Sequence, residues 1–368
     1  MIPNILSMAM ISISWLLISL FLMLNPIIIT AAATIYSHLN SSTIFRSFQN
    51  DNVMVGLEKL GVGQLVGPED LAYDTRSGLI YTGCADGWIK RVKVNKSNSH
   101  VTVENWVKTG GRPLGLAFGR NKEVIVADPQ KGLLNVSRHG KVRLLTDQAE
   151  GVKFRLTDSV DVAKDGMVYF ADASYKYSLS EFTLDFLEGK PHGRLLSYNP
   201  RTKRTRVLVR DLYFANGVAV SPDQNSIVFC ETAMVRCRKY HRRGTKNGTV
   251  TSFVDNLPGL PDNIRYAGKG NYWIALAAAP TRDLDLALMR HSLMNLTLKE
   301  KYVGMRVDLI NKGGVLKVDT KGNRKAHYFN PELSLISSGK KIGNHLYCGS
   351  LFYSYIIRIN LRNHSQPT

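Results

Sequence analysis

Leu156-Thr-Asp-Ser-Val-Asp-Val leads into Met167-Val-Tyr-Phe-Ala-Asp and then into Gly193-Arg-Leu-Leu-Ser-Tyr, and this three-part phrase returns along the chain. Upstream, Gly67-Pro-Glu-Asp-Leu-Ala-Tyr precedes Leu79-Ile-Tyr-Thr-Gly and Trp88-Ile-Lys-Arg-Val. Arg112-Pro-Leu-Gly-Leu-Ala-Phe then precedes Val124-Ile-Val-Ala-Asp and Gly132-Leu-Leu-Asn-Val. Downstream, Phe214-Ala-Asn-Gly-Val-Ala-Val and Leu260-Pro-Asp-Asn-Ile-Arg-Tyr open two further copies. A sixth, weaker at its start, reads Ser337-Ser-Gly-Lys-Lys, His345-Leu-Tyr-Cys-Gly-Ser-Leu and Ile356-Ile-Arg-Ile. Each phrase is strand, polar turn, strand, turn, strand, with room for a fourth strand. The shorter periods fall in the range of about 40–50 residues typical of propeller blades. One blade cannot bury both of its faces, whereas six stacked around an axis can. The pattern therefore predicts an all-β, six-bladed β-propeller over residues 61–362. Two β-sandwiches would not repeat a motif.

Residues 1–33 read differently. From Ile5 to Leu24 there is no charge, and Ala31-Ala32-Ala33 offers small residues for cleavage. The run is also long enough to span a bilayer. A cleaved signal peptide and a retained signal-anchor, with membrane attachment through residues 5–24, are both open. Residues 34–60 read as a lead-in and 363–368 as a tail. Six sequons, at Asn40, Asn95, Asn135, Asn247, Asn295 and Asn363, agree with a glycoprotein in the secretory pathway. Cys230 and Cys237 flank a short turn between two strand-like runs; in an oxidising compartment a disulfide and two buried thiols are both compatible with that spacing. Cys84 and Cys348 read as core.

The formal charge of +19 raises the question of nucleic acid. The basic residues are scattered through turns and exposed strand positions, without zinc-finger spacing, basic helix or RNA-binding aromatic motif. The expected partner is a small molecule, not nucleic acid. Two insertions, 174–192 and 280–309, interrupt the rhythm and suit loops or short helices over one mouth of the propeller.

The first strand of each copy starts near the propeller axis. That places Glu69, Leu114, Asp158, Asn216 and Asp262 around the channel, with Asn263 beside the last and a residue near Ser337 from the sixth copy. Three carboxylates and one or two amide oxygens would repel unless neutralised. All are hard donors, suited to Ca²⁺ rather than Zn²⁺. The alternative from spacing alone is that Asp and Asn simply make turns at strand starts.

Pro68-Glu-Asp-Leu, Tyr169-Phe-Ala-Asp-Ala-Ser, His192-Gly-Arg-Leu-Leu-Ser-Tyr, Phe214-Ala-Asn-Gly-Val, Leu260-Pro-Asp-Asn-Ile and Leu346-Tyr-Cys-Gly-Ser-Leu resemble the strictosidine-synthase-like family. Plant members and the animal adipocyte plasma-membrane-associated protein share these motifs, over roughly residues 60–361. The wider superfamily includes paraoxonases and gluconolactonases. The resemblance implies a six-bladed propeller with calcium or another divalent ion in its channel. Glu69, Asp158, Asn216, Asp262 and Asn263 fall on the family's ligand pattern, with Asp158 where Asn is common. It also implies the ER, the vacuole or the cell exterior.

Departures from the family's patterns narrow the activity. The catalytic Glu of true strictosidine synthase falls at Ser337, whose hydroxyl cannot serve as a general base at neutral pH. A pocket Trp is replaced by Leu156. The paraoxonase His pair falls at Leu114 and Asp128. What remains is a gluconolactonase-like arrangement, in which the metal is a Lewis acid and Asp262 the base. The expected function is metal-dependent hydrolysis of small esters or lactones. The alternative is a non-catalytic propeller whose calcium ion is structural and whose outer face binds a partner. His192 and His345, and Tyr175 and Tyr177 at the first insertion, are weaker candidates.

Overall fold

A computed structural model describes residues 51–94, 100–279 and 312–364. Six blade sheets follow one another in sequence, each built on consecutive antiparallel strands, with a two-stranded ribbon, Gln148–Ala149 and Val152–Lys153, between the second and third. The innermost strands are Leu71–Asp74, Leu116–Phe118, Thr157–Val162, Ala215–Val220, Pro261–Gly268 and Ile336–Ile342. Each packs against the next, and the sixth packs against the first, so the ring closes. Between blades lie the apolar cores, for example Val160, Phe170 and Leu196 against Ile125 and Ala127.

The propeller starts earlier than the expected boundary at residue 61. Glu58–Leu60 is the outermost strand of the sixth blade, antiparallel to Ile356–Asn360. Asp51–Val53 adds a parallel fifth strand to the fifth blade, beside Arg324–Phe329. The sixth copy supplies only three strands of its own, so its outer edge is free to be covered by a segment from the other end of the chain. Such an exposed edge is otherwise open to pairing with another chain.

The acid ending the second strand of several copies has a repeated structural role. Asp128 accepts from the amides of Arg112 (3.1 Å) and Gln130 (3.0 Å). Asp172 accepts from Leu156 N (3.1 Å), and Glu231 from Tyr213 N (3.1 Å). Each ties the loop entering its blade to the blade's second strand.

The first insertion folds as a 3₁₀ turn, Leu179–Glu181, running into a short helix, Phe182–Glu188. Ser178 and Glu181 form a capping box, and Gly189 ends the helix in the left-handed region at φ 65°. The whole of the second insertion, the expected hydrophobic N-terminal segment, and the sequons at Asn40, Asn95 and Asn295 lie outside the described residues. Asn247 and Asn363 are exposed and Asn135 is half-buried. Among the described residues no helix is long and apolar enough to cross a membrane. Cys230 and Cys237 are paired across neighbouring strands and joined by a disulfide. Cys84 and Cys348 are buried free thiols, each pushed up to about 12 by burial.

Candidate metal centre

The start of an inner strand is fixed in space by its neighbour, and glycine makes the close approach possible. A Cβ on Gly115 would lie 2.5 Å from Asp158 O, and one on Gly217 would lie 2.4 Å from Asp262 O. Gly115 N donates to Asp158 O at 2.8 Å. Ser337 and Ser338 both donate their hydroxyls to Glu69 O at 2.7 Å. Ser337 thus positions the Glu69 backbone.

These constraints bring Glu69, Asp158 and Asp262 together, with one oxygen from each within 4.8 Å of the others. All three are buried, as are Asn216 and Asn263. Asn263 Nδ2 donates to Glu69 Oε1 at 2.5 Å. Glu69 Oε2, Asn216 Oδ1 and Asn263 Oδ1 are buried and have no hydrogen-bond partner. Burial raises Glu69, helped by the charges of Asp70, Asp262 and Asp158. Burial and then the Asp70 charge raise Asp158 to about 7, and burial and then Asp158 raise Asp262. Three orphaned oxygen acceptors among mutually repelling carboxylates fit a hard divalent cation. Turn-making alone would not leave acceptors unpaired.

Leu114, the second blade's residue at the same ring position, is apolar. It clusters with Leu156, Ala173 and Phe214, and Leu179, Phe182, Phe186 and Leu351 pack on that cluster. Phe186 and Phe214 meet with ring centroids 4.4 Å apart. Phe214 sits at φ 55°, uncommon for a bulky residue, and its neighbours hold it there: Thr232 N donates to Phe214 O at 3.0 Å. The ring of candidate ligands therefore has an apolar shoulder, built from inner strand starts and the inserted helix.

Several participants carried no signal in the sequence pattern. Asp70 is fully buried, accepts from Leu116 N at 2.8 Å and pairs with Arg265 of the fifth blade. Arg265 also donates to Val218 O at 3.0 Å. Arg112 donates to Gly67 O at 2.9 Å and offsets part of the charge at Glu69. The doubled acid in Pro68-Glu-Asp-Leu was the only available hint for Asp70. His192 is held by Asp185 at 3.1 Å, with the Tyr175 and Tyr177 rings edge-on to it. It anchors the inserted helix. His345 lies in the turn region at the opposite end of its blade's inner strand pair.

A six-bladed propeller with oxygen donors gathered on its axis defines the class. Family models for strictosidine synthase and for the strictosidine synthase-like N-terminal region match residues 158–245 and 47–92. Protein STRICTOSIDINE SYNTHASE-LIKE 7 of Arabidopsis thaliana is 53% identical over 88% of this chain and 86% of its own length. The adipocyte plasma membrane-associated protein of Gallus gallus is 31% identical over 85% of this chain and 80% of its own. The chain belongs to the strictosidine synthase-like family. Among solved structures, a gluconolactonase of Xanthomonas campestris aligns with TM-score 0.59 at 15% identity, over 83% of this chain and 91% of that one. A calcium-binding regucalcin of Agrobacterium tumefaciens aligns with TM-score 0.55 at 13% identity, over 85% and 95%. At such identities the likeness is one of fold.

Proposed function

We propose that the protein is a calcium-dependent hydrolase of small esters or lactones, acting in the secretory pathway: the ER, the vacuole or the cell exterior. The observation that carries this reading is the set of three orphaned acceptors beside Asp158 and Asp262. Glu69, Asp158, Asn216, Asp262 and Asn263 would hold the ion, which when bound supplies positive charge to polarise a carbonyl. Asp262 accepts the proton of the attacking water. Asn216 hydrogen-bonds Asp262 and orients its carboxylate. The apolar shoulder of Leu114, Leu156, Phe214 and Phe186 takes the hydrocarbon part of the substrate. Ser337 leaves amine–aldehyde condensation without its carboxylate base.

A second reading, a structural ion in a non-catalytic propeller, draws on the burial of all five candidate ligands. Bound calcium and turnover on aryl-ester and lactone panels, measured on wild type and Asp262→Ala, separate the two. Calcium-dependent turnover lost in Asp262→Ala supports the hydrolase. Stoichiometric calcium without turnover supports the structural ion, and absence of bound metal overturns both.

A further inference from the structure

The inner strand Thr157–Val162 begins at the metal centre and runs away from it, so the turns that follow lie on the opposite face. On that face a cavity of about 300 Å³ opens between the third and fourth blades. Its buried cation is Arg242, whose side chain is 9% exposed. The guanidinium lies 5.1 Å over the Tyr169 ring and pairs with Asp165. Its Nη1 is buried and has no hydrogen-bond partner. A buried donor left unpaired costs about 1–3 kcal/mol, a cost that an incoming oxyanion removes.

Arg204 and Arg206 line the same cavity from the third blade's outer strand and are exposed, and Ser197 and Tyr240 add hydroxyls. Asp165, the carboxylate partner of Arg242, is shared with Arg243 at 3.0 Å. Cationic charge is therefore in excess here by more than a single carboxylate would balance. Planar guanidinium forks match tetrahedral oxyanions bidentately. The neighbouring groove, between the second and third blades, is lined by Arg120, Arg138, Arg143 and Arg201 against two acids, Glu123 and Asp165, and its net positive charge extends the field that steers an anion inward.

We infer that this pocket binds a phosphate-class dianion, with Arg242 as its buried anchor and Arg204 and Arg206 at its rim. The group arrives either on a small phosphate ester or on an anionic lipid headgroup. The site is independent of the hydrolase reading, since it shares no residue with the channel.

The test uses the purified full-length chain. Inorganic phosphate and glucose 6-phosphate are titrated calorimetrically, and co-flotation is measured with phosphatidylcholine vesicles with and without phosphatidate. Saturable binding of the soluble ions with Kd below about 1 mM, weakened about tenfold or more in Arg242→Gln, supports the pocket and identifies a soluble ester. Flotation that needs phosphatidate and is lost in the same variant supports it and identifies a headgroup. Arg204→Gln/Arg206→Gln alters exposed side chains only and keeps the test valid if Arg242→Gln fails to fold. No binding to any of the probes, or binding unchanged in the rim variant, overturns the inference.

Discussion

Replacing Asp158 by Asn should stabilise the metal-free protein, an advantage that calcium should narrow. Asp158 is raised from 3.8 to about 7 by burial and by Asp70. A carboxyl whose pKa is higher folded than unfolded binds more protons in the folded state between those values, so stability falls as pH rises through that window. The ionised form at pH 8 costs about 4 kcal/mol relative to an unshifted group, at about 1.4 kcal/mol per pKa unit. Asparagine removes the charge, and its amide can donate to the remaining carboxylates. With unfolding entropy of about 2.1 cal/mol/K per residue over roughly 300 residues, the gain corresponds to about 6 °C in Tm. It should appear in chelator at pH 8 and vanish by about pH 4. Calcium at about 1000 times its Kd adds about 4 kcal/mol to wild type. It adds less to the variant, which lacks one charged ligand, so the gap between the two proteins narrows. Differential scanning calorimetry in chelator and in calcium reads both effects. If Asp158→Asn melts no higher than wild type in chelator, or if calcium stabilises both proteins equally, the three carboxylates do not form a metal-binding repulsive cluster.

Arg265→Met should cost about 3–5 kcal/mol in urea unfolding, because it strands the buried Asp70 charge, and adding Asp70→Asn should restore much of the loss. Phe186→Ala should raise KM for aryl esters roughly two- to tenfold through loss of the aromatic contact with Phe214, with kcat little changed. Cys230→Ser/Cys237→Ser should lower stability by about 2.5 kcal/mol, the chain-entropy value for so short a loop. A chain beginning at Asn50 should fold as a monomer by circular dichroism and size-exclusion chromatography, whereas one beginning at Gly61 should aggregate, since it lacks the strand that covers the sixth blade's edge.

The six inner strands were legible because a blade repeats its phrase, and the ligand positions were legible because they recur at one place in it. Glu58-Lys-Leu and Asp51-Asn-Val were not. Each is three residues long, partly exposed and outside the repeat, and each is a strand only because an edge elsewhere accepts it. The Asp70–Arg265 pair joins residues 195 apart in sequence. No local spacing encodes it; it exists because the ring places the first and fifth blades across one channel. The apolar shoulder was half legible: Leu114 and Leu156 stood out in the repeat, but Leu179, Phe182 and Phe186 come from an insertion whose helix is short and capped by local hydrogen bonds.

The strand Glu58–Leu60 leaves the ribosome about 300 residues ahead of its partner Ile356–Asn360. At about 5–20 residues per second, the early strand waits on the order of 15–60 s for its neighbour. Five blades can assemble as they emerge, but the ring stays open until Ile356–Asn360 arrives. A nascent chain stalled short of that point therefore presents a hydrophobic blade edge to whatever chaperone or neighbouring chain is nearby. Completion of the circle in this way makes burial of the first blade's neighbour wait on a strand made about 300 residues later.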